Sequence, residues 1–212
     1  MEKNTYYFNV QETFQSTLQG EGYFSGRVAD FIRLYGCPIG CFFCDTGYSL
    51  PDGDYYKKKL PKNVRSVEDL LAETKSKFIV ISGGEPFIHK QLPELCRYLI
   101  KNGKDVSIET SGSYWKDVPA EVFITLSPKE HLNPKYPVKD IFWDRANELK
   151  LVITKTDDFN YYEQKMKDFK GYKYLQPEYY EFKNSIQMTM NLLQANDEFK
   201  LSLQTHKILN IQ

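Results

Sequence analysis

The chain has 212 residues, of which 41% are hydrophobic, and this is enough for one compact domain with a substantial core. Its 28 Lys and Arg residues balance 28 Asp and Glu residues, so no overall field favours direct nucleic-acid or membrane binding, and a small-molecule substrate fits better. The first ten residues lack the apolar core of a signal peptide, and no later run approaches the ~20 apolar residues that span a bilayer, so we expect a cytoplasmic protein.

The predicted elements alternate between short apolar runs and helical patterns. The apolar runs are nearly continuous, which is typical of parallel strands that are covered on both faces. Ser66 with Asp69 resembles a capping box that opens a helix over residues 67–75, and a second helix around residues 92–101 ends at Asn102 and Gly103. The predicted strands cover residues 28–34, 78–82, 106–109, 122–126, 148–153, 172–176 and 199–204.

This alternation predicts an α/β fold. About six or seven strands are predicted, and the chain is short for a complete eight-stranded barrel, which typically has about 250 residues. We therefore expect a partial, truncated βα barrel that forms a single domain over residues 1–212. Residues 47–65 carry Pro, Gly and Lys without periodicity, and they predict an insertion or lid within that domain.

Three cysteines, Cys37, Cys41 and Cys44, follow the first predicted strand within eight residues. This places three thiolates at the carboxyl end of a strand, where α/β folds build active sites. Three thiolates can hold three irons of a [4Fe-4S] cluster and leave the fourth iron open, whereas an electron-transfer cluster normally uses four cysteines. The alternative is a structural zinc site with one further ligand. The side chains that could supply this ligand are His89, His131, His206 and Cys96.

A second motif, Gly83-Gly84-Glu85-Pro86, ends the predicted strand 78–82. Glycines at this point let a ligand approach the bare backbone, and the neighbouring backbone groups can bind an ammonium or a carboxylate. Alone, the segment could be an ordinary turn between a strand and a helix. Together with the three-cysteine loop it resembles the radical S-adenosylmethionine (SAM) superfamily. That resemblance implies that SAM binds the open iron and is cleaved to methionine and a 5′-deoxyadenosyl radical.

Further segments, spread over nearly the whole chain, are similar to the 7-carboxy-7-deazaguanine synthase (QueE) family. They are residues 17–22, 33, 44–46, 109–112, 127–129, 175–177 and 203–207. The resemblance implies a lyase that contracts 6-carboxy-5,6,7,8-tetrahydropterin to 7-carboxy-7-deazaguanine, with loss of ammonia, on the route to queuosine and other 7-deazapurines. It also implies a homodimer, dependence on magnesium, and a flavodoxin or ferredoxin as the reductant.

The same resemblance implies roles for individual residues. Arg33 would pair bidentately with the substrate carboxylate, and the Gln19 amide would match the donors and acceptors of a pterin edge. Thr46 is expected to bind Mg²⁺, with Asp45 as the rival ligand. The implied substrate-binding residues are Leu18, Gln19, Gly20, Arg33 and Ser82. The implied SAM-binding residues are Gly84, Glu85, Glu109, Ser127, Pro128, Lys129 and Gln176.

Two other functions remain open at this point. A glycyl-radical-enzyme activase shares the small size and the cysteine spacing but acts on a partner protein. A zinc-stabilised binding module would have no catalytic activity. Residues 18–22 and Thr46 favour the small-molecule substrate over the activase.

Overall fold

The computed structural model describes residues 5–48 and 63–211. In this part of the chain no helix is long and apolar enough to cross a membrane. The strands are β1 (Tyr7–Leu18), β2 (Val28–Leu34), β3 (Asn63–Ser66), β4 (Phe78–Gly83), β5 (Asp105–Thr110), β6 (Phe123–Leu126), β7 (Glu148–Ile153), β8 (Tyr172–Pro177) and β9 (Lys200–Leu201). The helices are α1 (Val67–Ala72), α2 (Leu92–Lys101), α3 (Ile141–Arg145), α4 (Thr156–Lys167), α5 (Phe182–Ala195) and α6 (Thr205–Leu209).

All nine strands belong to one sheet with the order β3-β1-β2-β4-β5-β6-β7-β8-β9. The pairs from β2 to β9 are parallel, and β1 pairs antiparallel with both β2 and β3. The sheet curls far enough for the chain after β9 to meet the loop after β1. The Thr205 amide donates to the Gly20 carbonyl at 3.0 Å, and the Gly22 amide donates to Ser202 Oγ at 3.0 Å. The predicted α/β partial barrel is confirmed.

The parallel strands supply most of the core. All six residues of β7 are buried, as expected for a strand covered on both faces. Helix α2 packs Leu92, Leu95 and Leu99 against this core, and Cys96 beside them is fully buried among apolar side chains, where a free thiol behaves as a small hydrophobe.

Two strands, β1 and β3, were not predicted from the apolar pattern, so the described residues form nine strands instead of the expected six or seven. Strand β1 was not predicted because two register shifts, between Val10 and Glu12 and between Phe14 and Thr17, break its alternation. Helix α1 has the predicted capping box but ends at Ala72, and the strand predicted over 199–204 is reduced to β9.

The insertion predicted at 47–65 lies mostly outside the described residues, which omit 49–62. Its last residues, 63–65, belong to β3 and pair with β1. The single-domain organisation over 1–212 stays a prediction.

Candidate active site

The cysteine loop begins directly after β2. Cys37, Cys41 and Cys44 all line one cavity of about 230 Å³. The Tyr48 hydroxyl, which is buried, accepts a hydrogen bond from the Gly36 amide at 2.7 Å and so anchors the start of the loop. The fold therefore turns a local sequence motif into three thiols around one space.

The glycine motif after β4 packs against this loop. The Glu85 amide donates to the Gly36 carbonyl at 2.9 Å, and the Gly84 amide donates to the Leu34 carbonyl at 3.1 Å. A Cβ on Gly84 would lie 1.9 Å from the Gly36 carbonyl oxygen, and Gly83 has a φ of +120°. Only glycine fits at both positions, because a side chain on Gly83 would displace the end of β2 and one on Gly84 would displace the start of the cysteine loop.

The Glu85 carboxylate is buried and already bound by the protein. Its oxygens accept hydrogen bonds from the Phe87 amide at 3.1 Å, the Thr110 hydroxyl at 2.6 Å, and the Ser111 amide and hydroxyl at 2.8 and 2.5 Å. Burial raises the pKa of Glu85. This side chain ties the turn after β4 to the end of β5, so what the residue can offer a ligand is its main chain.

A second cavity of about 170 Å³ adjoins the first. It is lined by all five residues that the resemblance assigned to the substrate, namely Leu18, Gln19, Gly20, Arg33 and Ser82. Six of the residues assigned to SAM line the first cavity: Gly84, Glu85, Glu109, Ser127, Lys129 and Gln176. Pro128 is buried between two of these lining residues. The residues that form the wall common to both cavities are Glu21, Asp45, Thr46, Ser82, Gly83 and Glu109.

Two of the candidate substrate residues already have partners within the protein. The Arg33 guanidinium donates to Glu12 at 3.1 Å and lies 5.2 Å from the centre of the Phe14 ring. The Gln19 amide nitrogen donates to Glu109 at 3.0 Å, and its oxygen accepts from the Glu21 amide at 3.3 Å. The Gln19 amide is thus held in one orientation, with both ends engaged.

Thr46 and Asp45 differ in their contacts. The Thr46 hydroxyl donates to the Gly83 carbonyl at 3.2 Å, which leaves its oxygen lone pairs available to a ligand. The two oxygens of Asp45 accept from Lys207 Nζ at 2.6 Å and from Gln204 Nε2 at 3.0 Å. Asp45 therefore holds the C-terminal segment against the cysteine loop.

The first cavity is also lined by Lys150, which the sequence interpretation missed. The Lys150 ammonium is buried between the carboxylates of Glu21 and Glu109, and it lies 2.8 Å from the latter. Burial alone would lower the pKa of Lys150, but Glu109, Glu21 and Glu148 outweigh it and raise the pKa. Burial would similarly raise the pKa of Glu21, yet Lys150 lowers it to about 2. The signal in the sequence was a lysine inside the predicted strand 148–153, because lysine is almost never fully buried unless it is paired.

The donor set at the cysteine loop fits an iron–sulfur cluster. Burial raises the pKa of Cys37, and it raises the pKa of Cys41 to about 11, so a bound cation would be needed to stabilise the thiolates. Within residues 5–48 and 63–211, no three His, Cys, Asp or Glu side chains converge on one metal-ion position. A [4Fe-4S] cluster does not require such convergence, because each cysteine binds a different iron.

Comparisons with known proteins agree with this geometry. The model of the radical SAM superfamily matches residues 31–128. The chain is 36% identical to the 7-carboxy-7-deazaguanine synthase of Escherichia coli (strain K12), over 96% of this chain and 99% of that protein. It is 34% identical to the synthase of Synechocystis sp., over 97% and 94% of the two chains.

The fold gives the same result. The crystal structure of QueE from Escherichia coli superposes with a TM-score of 0.78 at 33% identity and covers 93% of each chain. The activase and the zinc-stabilised module are not favoured by these similarities. Radical SAM membership implies a [4Fe-4S] cluster and SAM. With this fold, this cysteine loop and these relatives, the chain belongs to the 7-carboxy-7-deazaguanine synthase family of radical SAM enzymes.

Proposed function

We propose that this protein contracts 6-carboxy-5,6,7,8-tetrahydropterin to 7-carboxy-7-deazaguanine, with loss of ammonia, as a step of 7-deazapurine biosynthesis. The observation that carries the proposal is the wall shared by two adjacent cavities, one lined by the three thiols and the other by Arg33. This wall alone would separate a radical formed in the first cavity from a substrate bound in the second.

Cys37, Cys41 and Cys44 would hold the cluster. With SAM bound, the cluster supplies the electron that releases a 5′-deoxyadenosyl radical able to remove hydrogen from C6 of the pterin. The protein's own contribution is positioning and exclusion of water. The bare backbone at Gly83 and Gly84 would receive the amino-acid part of SAM.

Lys129 would bind the carboxylate region of SAM. Its ammonium now donates to the Ser127 hydroxyl at 2.6 Å and to the Ser127 carbonyl at 2.8 Å. Burial lowers the pKa of Lys129, so a carboxylate ligand would restore a favourable partner for the buried charge. Gln176, whose side-chain oxygen accepts from Ser202 at 2.7 Å, would complete this side of the cavity.

Arg33 would bind the substrate carboxylate in the second cavity. A guanidinium has five N–H donors, and Glu12 accepts from one terminal nitrogen, so a bidentate pair remains geometrically available. The backbone of residues 18–20 and the hydroxyl of Ser82 would contact the ring.

We further propose that Thr46 binds Mg²⁺ together with the substrate carboxylate and waters. Mg²⁺ prefers an octahedron of hard oxygen ligands and keeps several waters, so one hydroxyl from the protein is enough. Asp45 is the weaker candidate because both of its oxygens are engaged by Gln204 and Lys207. Titration of Mg²⁺ against turnover separates them: Thr46→Ala should lose the stimulation, whereas Asp45→Asn should keep it. The reverse result would assign the ion to Asp45.

A flavodoxin or ferredoxin is the proposed reductant, and a homodimer is the proposed assembly. Phe42, which is 65% exposed and adjacent to Cys41, offers a reductant an apolar contact near the cluster. Sedimentation of the purified protein tests the dimer, and reduction by each carrier protein tests the electron donor.

The decisive experiment is anaerobic turnover of the cluster-loaded protein with SAM, a reductant and 6-carboxytetrahydropterin. Mass spectrometry should detect 7-carboxy-7-deazaguanine together with one ammonia released per product. Cys37→Ala protein is the control and should form none. If SAM is cleaved but the pterin remains unchanged, the substrate assignment is wrong.

A further inference from the structure

The buried charges around Lys150 come from three separate parts of the chain. Lys150 lies in the middle of β7, Glu109 lies near the end of β5, and Glu21 belongs to the loop after β1. The Lys150 side chain is only 4% exposed, and the side chains of Glu21 and Glu109 are 16% and 21% exposed. Two carboxylates and one ammonium give this group a net charge of −1.

A purely structural explanation of this group is weak. Removing three charges from water is costly, and apolar side chains of similar volume often stabilise a fold as well or better. Furthermore, all three side chains line the first cavity, and Glu21 and Glu109 also line the second. The charges therefore face the two ligand spaces rather than the apolar core.

Hydrogen bonds extend from the group toward both sides of the shared wall. Glu109 accepts from Lys150 with one oxygen and from the Gln19 amide with the other, at 3.0 Å. Glu21 accepts from Lys150 and, at 2.7 Å, from the amide of Gln204. Loss of the ammonium would leave the two carboxylates to repel each other and would free Glu109, on which the orientation of Gln19 depends.

We propose that Lys150 is a positioning residue that holds the carboxylates of Glu21 and Glu109 in the wall between the two cavities. It thereby keeps SAM and the substrate at the distance that the reaction needs. The identities of the two ligands rest on the proposed function above. When Lys150 is lost, the radical would form at the wrong distance from the substrate. SAM would then be consumed without product.

The test compares Lys150→Met, Glu21→Gln and the double variant with the wild type. Lys150→Met keeps all but the last atom of the side-chain length and removes its charge, whereas the double variant returns the group to a net charge of −1. The matched control is Lys173→Met on β8, whose ammonium lies 3.9 Å from Glu198 and 5.6 Å from the Phe199 ring, away from both cavities. The measurements are the melting temperature, the Kd for SAM of the cluster-loaded protein, and the ratio of 5′-deoxyadenosine to product.

In Lys150→Met we expect the ratio to rise roughly 10-fold or more, because small misplacements of reacting groups cost this much. The Kd for SAM should rise as well, because Glu21 and Glu109 line the cavity assigned to SAM and would no longer be held in place. The ratio does not depend on the fraction of active enzyme, so a merely structural defect would not change it. The double variant should recover the melting temperature but keep a higher ratio and a higher Kd than Glu21→Gln alone. Lys173→Met should resemble the wild type in both.

Two results would overturn the role of Lys150. One is an unchanged Kd and ratio in Lys150→Met, and the other is a double variant that equals Glu21→Gln, since Lys150 would then only balance charge. If Lys150→Met does not fold, the charge-balanced double variant decides the matter. If the wild type forms no deazaguanine, the proposed function fails, but the SAM affinities of the variants still decide the role of Lys150.

Discussion

The two ends of the parallel strands differ in chemistry. At the carboxyl ends, thiols, bare glycine backbone and charged side chains surround two cavities. At the amino ends, aromatic rings close the sheet: Tyr23 stacks on Tyr172 with ring centres 4.1 Å apart, and Phe24 contacts Phe78 and Phe123, each at 4.6 Å. The amino ends thus gain stability from packing, whereas the carboxyl ends leave polar groups available for binding.

Two arginines show how position decides the role of a side chain. Arg27, at the amino end, lies 4.1 Å from the centre of the Phe78 ring and donates to Asp105 at 2.5 Å. Arg33, six residues further along the chain and within β2, lines the second cavity. The same residue type therefore packs at one end of a strand and is available to a ligand at the other.

Loss of any cluster cysteine should have the largest effect. Cys37→Ala, Cys41→Ala and Cys44→Ala should each fail to hold an intact cluster and lose SAM cleavage, whereas the wild type should bind about four irons per chain. Cys96→Ala should keep the cluster, because its thiol lies in the core away from the cavities. Iron content and visible absorption after anaerobic reconstitution measure this difference. A colourless Cys96 variant would contradict the assignment of the ligands.

The next largest difference between the two ends of the strands should come from replacing the two arginines. Arg33→Lys should raise the KM for the pterin by roughly 10- to 100-fold, because lysine keeps the charge but loses the bidentate fork. SAM cleavage without substrate should change little. Arg27→Lys should leave the KM unaltered. Steady-state kinetics of both variants provide the comparison, and an equal loss of uncoupled SAM cleavage in Arg33→Lys would place this residue at the SAM site instead.

A buried carboxyl at the amino end should make stability depend on pH. Burial raises the pKa of Glu148 from 4.5 to about 7. Between these values the folded protein keeps a proton that the unfolded chain releases, so the contribution of Glu148 is complete below about pH 4.5 and is lost as the pH rises through 7. As the pH rises from 5 to 8, the unfolding free energy of the wild type should therefore fall relative to that of Glu148→Gln, by on the order of 2–3 kcal/mol.

Urea unfolding at several pH values between 5 and 8 measures this gain. The opposite trend of Glu21, whose lowered pKa of about 2 makes its contribution disappear only in acid, lies outside that pH range. Parallel stability curves for the wild type and Glu148→Gln would show that the carboxyl is not responsible.

The smallest effect is expected from the aromatic closure. Phe24→Ala should lower the free energy of unfolding by roughly 1–2 kcal/mol, less than a fully buried phenylalanine, because Phe24 is only partly buried. The KM values for SAM and the pterin should stay the same, since the ring packs at the end opposite to the cavities. A change in KM without a change in stability would show that the two ends are coupled.

The fold could be predicted where burial follows a simple local rule. Strand β4 was found because a strand covered on both faces is a nearly continuous apolar run, here residues 78–81, all of which are buried. Strand β1 was not found, because Ser16 has a φ of 54° and the register shifts on both sides of Phe14 break its alternation. Such irregularities depend on the pairing with β2, which a local pattern does not contain.

The candidate site likewise has a part that could be predicted from the sequence and a part that could not. The amino-acid sequence by itself determined that the three cysteines and the glycine motif belong to the site, because each is a contiguous segment whose residue types and spacing indicate its chemistry. Only the tertiary structure decided that the remaining residues form two cavities with a common wall, and that Lys150 meets Glu21 across 129 residues of chain. The physical reason is that a buried charge is stable only beside partners that satisfy it, and folding alone brings those partners together.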